Sequence, residues 1–210
     1  MLEPYPKINA PYKRDEKGQF LKEFSRPEFE YLYHNPWVWT EKIDGTNIRM
    51  GWEPGVAGSS GMIQGRTDKT QIPVFLYERL VEVWHEIPFA EKFDGPITLY
   101  GEGCGAGIQK GRQGYAPNGG TDFILFDIKI GSWWLQLEDM QELGKELGLQ
   151  VVPICFRMSL SDAEKMIAEG FDSRWDTELE GLVGQPAIQL FDRTHSWVRS
   201  KLKRKDYLNK

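Results

Sequence analysis

Apolar positions along the chain recur with two different spacings, and these divide it into short strands and a few helices. Trp37 to Lys42 reads as a strand, and Asn47 to Trp52 reads as its partner across a tight turn at Asp44-Gly45. The segment from Glu53 to Gly61 is rich in Gly and Ser and reads as a loop. Leu76, Leu80, Val83, Trp84 and Ile87 fall at helical spacing, which predicts a helix over Val74 to His85. Ile97 to Glu102 and Phe123 to Ile130 read as strands, the second largely buried. A helix is predicted over Glu138 to Leu147 and a strand over Val151 to Phe156. Ser161 with Glu164 three residues on forms a capping box, opening a helix that Gly170 ends. Glu178 to Val183 and Trp197 to Lys203 read as the last strands, and the opening stretch to about Glu23 as irregular. Strands outnumber helices without alternating regularly with them. The expected class is therefore α+β, with mostly antiparallel sheets flanked by helices.

The length of 210 residues suits one sizeable core, and no repeat or linker divides it, so residues 1–210 are expected to form a single domain. No apolar run approaches the roughly 20 residues of a membrane span, and the polar start lacks a signal-peptide core. Cys104 and Cys155 form no Cys-x-x-Cys pair, which fits a reducing compartment. A cytoplasmic protein with no membrane partner is expected. His34, His85 and His195 lie far apart, and no His/Cys group has zinc-ligand spacing. The net charge of -5 argues against nonspecific coating of nucleic acid. The charge is uneven, however, because Arg199, Lys201, Lys203, Arg204 and Lys205 crowd the C-terminal end.

The residues with the clearest chemistry are Glu41-Lys42-Ile43-Asp44-Gly45-Thr46-Asn47. A lysine at a strand end before Asp-Gly can present its amine to a phosphate where the backbone approaches closely. Such an amine must lose its proton to act, and nearby cations favour the neutral form. Lys201 and Lys203 stand two apart on a predicted strand and share a face, so they are candidates for those cations. Gly101-Glu-Gly103-Cys-Gly105-Ala106 matches a loose dinucleotide-binding pattern. The Gly-rich run after it cannot be the helix that pattern needs, and reads instead as a mobile loop from Gly103 to Gly120.

Lys42-Ile43-Asp44-Gly45 resembles the nucleophile motif of the covalent nucleotidyltransferases, the superfamily of polynucleotide ligases and capping enzymes. EKIDGTN is most similar to ATP-dependent RNA ligases of the phage T4 RNA ligase 2 kind. Gly65-Arg66-Thr67, Tyr100-Gly101-Glu102, Phe126-Asp127, Glu180-Gly181-Leu182-Val183 and Lys201-Leu202-Lys203 resemble the later motifs, in the family's order. The resemblance implies that Lys42 attacks the α-phosphorus of ATP, forming lysyl-AMP. Glu41 would bind the adenine amino group, with Asp44 also in the nucleotide-binding set. Asn47 and Arg66 would lie near the ribose and phosphates. Glu102 would hold a ribose hydroxyl and Phe126 would stack on adenine, with Phe123 as its rival. Lys201 and Lys203 would offset charge on the α-phosphate. Glu180 would bind nucleotide or metal. Asp127 is a second metal candidate, and strand alternation puts it on the opposite face from Phe126.

The expected function is ATP-dependent ligation of polynucleotide ends, RNA in preference to DNA, with Mg²⁺ or Mn²⁺ as cofactor. AMP would pass from Lys42 to a 5′-phosphate, and a 3′-hydroxyl would then displace it. A DNA nick ligase, a guanylyltransferase and a noncatalytic end-binding module are the alternatives. The oligonucleotide-binding or helical domains that follow this domain in relatives have no counterpart here, so a catalytic domain alone is expected.

Overall fold

The computed structural model describes residues 2–56, 58, 62–109, 113–116, 119–193 and 196–208. In chain order the first elements are β1 (Tyr12–Arg14), β2 (Phe20–Phe24), α1 (Pro27–Tyr31), β3 (Trp37–Lys42), β4 (Thr46–Trp52), β5 (Ile63–Gly65), α2 (Val74–Glu86) and α3 (Phe89–Lys92). They are followed by β6 (Ile97–Gly105), β7 (Thr121–Ile130), β8 (Trp133–Trp134), α4 (Leu137–Glu146), β9 (Gln150–Val151), β10 (Ile154–Met158), α5 (Leu160–Glu169), β11 (Gly181–Pro186) and β12 (Ser200–Lys203). No described helix is long and apolar enough to cross a membrane.

The chain forms two compact units. The first holds residues 1–5, 43–152 and 175–177; the second holds residues 6–42, 153–174 and 178–210. The fold is α+β, as expected from the sequence.

The first unit is built on the sheet β5-β4-β6-β7-β8, with β9 added parallel to β7. Leu76, Leu80, Val83 and Trp84 of α2 are buried, which is the stripe the helical spacing predicted. Gly101, Gly103 and Gly105 all lie within β6, so the strand runs further than expected and no dinucleotide-binding turn forms there. Part of the predicted mobile loop, residues 110–112 and 117–118, lies outside the described residues.

The second unit is built on the antiparallel sheet β10-β3-β11-β12. β3 lies between two neighbours, so its first five residues are all buried and the strand lacks a polar face. Trp37, Trp39, Leu182 and Leu202 pack with Leu160, Ala163 and Ile167 of α5 into one core.

Three sequence expectations change. First, β3 and β4 are not a hairpin: β4 pairs with β5 and β6 in the other sheet. Asp44-Gly45 is therefore not a hairpin turn; it lies in the first unit, just after the chain leaves the second at Lys42. Second, the predicted strand over Val151 to Phe156 breaks at Pro153, which has no N–H to donate. Its two parts join different sheets. Third, the opening stretch contains the antiparallel pair β1-β2, too short for its alternation to register against the surrounding polar residues.

Helix α5 also starts earlier than expected. Ser159 caps it by accepting the Asp162 N–H at 3.1 Å, so the cap lies two residues upstream of Ser161. Glu164 is thereby released for another contact. Its carboxylate accepts the hydroxyls of Tyr12 (3.0 Å), Tyr33 (2.7 Å) and Tyr207 (2.9 Å). Burial pushes the hydroxyls of Tyr12 and Tyr207 well above the usual tyrosine range, so they remain donors. Glu164→Ala strands all three hydroxyls at once. It is expected to cost about 2–4 kcal/mol, read as a fall in urea midpoint at unchanged slope.

Candidate active site

In the second unit the site grows from the register of three strands. Gly181 pairs with Lys42 on one side and with Lys203 on the other. Val183, two residues on, pairs with Thr40 and Lys201. Lys42, Lys201 and Lys203 therefore share one face, while Trp39, Leu182 and Leu202 turn to the core. Gly181 is required by packing: a Cβ there would lie 2.0 Å from the Leu202 carbonyl oxygen of β12. With glycine, the strand carrying Lys203 closes fully onto β11.

Glu180 precedes that glycine, and its carbonyl accepts the Arg204 N–H at 2.9 Å. Its carboxylate pairs with Lys42 Nζ at 2.8 Å and with Lys203 Nζ at 3.3 Å. Both partners of the Lys42 pair are largely shielded, with side chains 19% and 13% exposed. One carboxylate thus lies between two ammonium groups contributed by the two strands flanking β11.

Glu41 alternates away from Lys42. It is 1% exposed, and its carboxylate accepts the Ser173 hydroxyl and, at 2.9 Å, the Arg174 N–H. The structure therefore does not bring the Glu41 and Lys42 side chains together. Burial holds the Glu41 carboxyl above its ordinary value, against smaller opposing effects of these two hydrogen bonds. The fold accordingly favours the protonated form, and stability falls as pH rises from the unfolded value near ~4.3 through the higher folded one. Gln fits the same pocket, with Oε1 accepting from Arg174 and Nε2 donating to Ser173. Glu41→Gln is expected to narrow the fall in melting temperature between pH 4 and pH 7, measured against the unaltered protein across that ~pH range.

In the first unit, Asn47 stands directly opposite Glu102 across the β4-β6 pair. Asn47 Oδ1 is buried and has no hydrogen-bond partner among the described residues, an acceptor left for a ligand. The glycine of the Asp-Gly step backs onto this pair. A Cβ at Gly45 would lie 2.3 Å from the Gly103 carbonyl oxygen and 2.8 Å from Glu102 Cγ. Gly45 has no left-handed φ, so close approach requires it there. The Asp44 N–H donates to the Tyr115 hydroxyl at 3.3 Å, and the buried Tyr115 ring meets Trp175 edge-on.

Strand β7 carries a bulge where β6 steps from Tyr100 to Gly101: Tyr100 faces Asp127, and Gly101 faces Leu125. Phe126 is the extra residue. This overturns the simple alternation argument, since the bulge returns Asp127 to the face of Phe126. One side chain, Tyr5, touches both, with its ring 5.0 Å from the Phe126 ring and its hydroxyl donating to Asp127 at 2.8 Å. Phe123, the rival for base stacking, is buried on the other side, where a Cβ at Gly101 would meet its ring. Arg66 is exposed and follows Gly65, whose carbonyl accepts Nε of the fully buried Arg49 at 2.8 Å.

Sequence reading missed Arg49, Tyr115 and Tyr5. An arginine between the apolar Ile48 and Met50 of a strand was the one available signal. Tyr115 lies in a Gly-rich run without periodicity, and Tyr5 in a segment that reads as irregular.

Antiparallel sheets with Lys42 at a strand end, and with Lys201 and Lys203 on the same face, fit the nucleotidyltransferase class. A model of the RNA ligase family matches residues 35–203, and the chain belongs to that family. Among solved structures, a variant of the Naegleria gruberi RNA ligase with AMP and Mn aligns at 20% identity and TM-score 0.63. The alignment covers 97% of this chain and 62% of that one. Another variant of that ligase, with ATP and Mn, aligns at 19% identity and TM-score 0.58 over 96% and 64%. An archaeal ATP-dependent RNA ligase aligns at 17% identity and TM-score 0.60 over 96% and 48%. At these identities the likeness concerns the fold. The chain spans less than two thirds of the length of these structures. No curated protein matches it.

Proposed function

We propose that this chain is the catalytic module of an ATP-dependent RNA ligase that works through a covalent lysyl-AMP on Lys42. The observation that carries the reading is the Glu180 carboxylate held between Lys42 and Lys203, on a face that Lys201 shares.

Lys42 Nζ needs a lone pair before it can attack, and Glu180, at 2.8 Å, is within reach to accept its proton. The nitrogen then forms a bond to the α-phosphorus as the bond to the pyrophosphate oxygen breaks. Pyrophosphate leaves with the electron pair. Lys201 and Lys203 offset the charge that builds on the α-phosphate oxygens. In the second step a 5′-phosphate oxygen takes the AMP, the N–P bond breaks and Lys42 regains its amine. In the third, a 3′-hydroxyl attacks that 5′-phosphate and AMP leaves.

In this reading Phe126 stacks on the adenine, Glu102 binds a ribose hydroxyl and Asn47 fills its open acceptor from the nucleotide. Arg66, next to the strand end that Arg49 anchors, meets a phosphate. A bound Mg²⁺ or Mn²⁺ supplies charge neutralisation at the phosphates. No group of three His, Cys, Asp or Glu forms a protein-only cage among the described residues. Substrate phosphates would hold such a cation, and Glu180 is the carboxylate we assign to it once the Lys42 proton has passed on to solvent. Asp127, engaged by Tyr5, instead supports the Phe126 face.

Intact-mass measurement tests the reading. Incubation with ATP and Mg²⁺ or Mn²⁺ is expected to add one AMP, and GTP is expected to add nothing. Adding 5′-phosphorylated RNA should discharge the adduct. A protein that gains no mass with either metal is not this enzyme.

A further inference from the structure

The face that carries Lys42 continues along the sheet beyond the lysines. Gln185 of β11 pairs with Val38, two steps along from the Gly181-Lys42 pair, so it lies on the same face. Arg199 Nε donates to Gln185 Oε1 at 3.0 Å, which places the guanidinium on that face as well. Arg199 is 8% exposed, and its Cζ lies over the Trp197 indole, 3.6 Å from the ring centroid. Trp197, Arg199, Lys201 and Lys203 thus form one column at two-residue spacing, leading toward the nucleophile. From Lys203 to Trp197 it spans at most about 20 Å.

The far end of this column is apolar and open. Trp197 is bridged to Phe191 through the backbone, and their rings are 6.0 Å apart. Phe191 is 51% exposed and its neighbour Ile188 is 77% exposed. An exposed Phe191 beside a half-buried Trp197, continuous with a row of cations, is out of place on a chain whose net charge is -5. The combination suits a polyanion with flat apolar groups. Neighbouring cations on a strand repeat at about 6.8 Å, comparable to the step between phosphates of an extended polynucleotide. Aromatic rings accept any base by stacking, and Arg199 beneath the indole holds one such ring in place.

We infer that Phe191 and Trp197 form a stacking platform for a single-stranded polynucleotide, whose phosphates run along Lys201 and Lys203 toward Lys42. This rests on the ligase reading and adds to it the surface that holds the strand being joined. The charge column selects a polynucleotide over an apolar protein partner, because such a partner would gain nothing from Lys201 and Lys203.

The test is fluorescence anisotropy with a labelled, 5′-phosphorylated single-stranded RNA, using the full chain, with lysyl-AMP formation measured on the same samples. Phe191→Ala and Trp197→Ala are each expected to weaken RNA binding roughly 5- to 10-fold. The slope of log affinity against log salt should stay constant, since stacking releases no counterions. Trp197→Phe should restore most of the affinity. Unchanged affinity in Phe191→Ala overturns the inference, and its half-exposed side chain makes that variant safe for folding even if Trp197→Ala unfolds. Loss of a self-associated species in Phe191→Ala without loss of RNA binding also overturns it, assigning the patch to a second copy of the chain. Failure of the unaltered protein to take up AMP would instead count against the ligase reading, whichever way the RNA binding falls.

Discussion

Lys42→Ala is expected to abolish the covalent AMP adduct completely, with no mass gain after prolonged incubation with ATP and either metal. No other group on that face can replace it by shifting slightly, because Lys201 and Lys203 are set on β12 by their own register with β11. Lys42→Arg should be equally inactive, since a guanidinium remains protonated and offers no lone pair for attack. Neither change should unfold the protein, because Glu180 keeps its contact with Lys203 when Lys42 is lost. Thermal melting recorded beside the mass spectra separates lost chemistry from lost structure. A residual adduct in Lys42→Ala would show that another nucleophile carries the reaction.

Glu180→Gln is expected to slow adenylation about 10²–10³-fold, in the range found when a preorganised electrostatic contact is removed from a shielded site. The amide keeps the shape of the side chain but loses the charge that holds Lys42 at 2.8 Å and Lys203 at 3.3 Å. It also loses the capacity to take the proton from Lys42. Lys203→Ala should fall in a similar range. Because the two residues share one contact, the double variant should be slower than either single variant by much less than the product of the two effects. Single-turnover adduct formation at saturating ATP measures all three. Fully multiplicative losses would mean that Glu180 and Lys203 act independently, and the bridging role would be wrong.

Much of this arrangement was legible from residue order alone. The six motifs between Lys42 and Lys203 name the residues proposed to react, because each position demands a particular side-chain chemistry. Period-two alternation placed Lys201 with Lys203, and the helical stripe of α2 was read nearly to its ends. These are local features, determined by backbone geometry within a few residues.

The Asp44-Gly45 step shows where that reading stops. Asp-Gly between two strands is a strong hairpin signal, yet β3 and β4 join different sheets. The glycine serves close packing against Gly103 and Glu102, which are more than fifty residues away in the chain. Likewise, a bulge set by pairing with β6 moved Asp127 onto the face of Phe126, and nothing in Phe-Asp-Ile announces it.

Residue order therefore supplied the class of fold, the proposed nucleophile and its candidate electrostatic partners by type, since side-chain chemistry and backbone period are carried by the chain itself. That Glu180 meets Lys42 across 138 positions depended on the tertiary structure. So did the open acceptor of Asn47 and the column from Lys203 to Trp197. Strand register and burial are collective outcomes of packing, and a one-residue slip in β11 would turn Leu182 out of the core and Gln185 off the face it shares with Lys42 and Lys203.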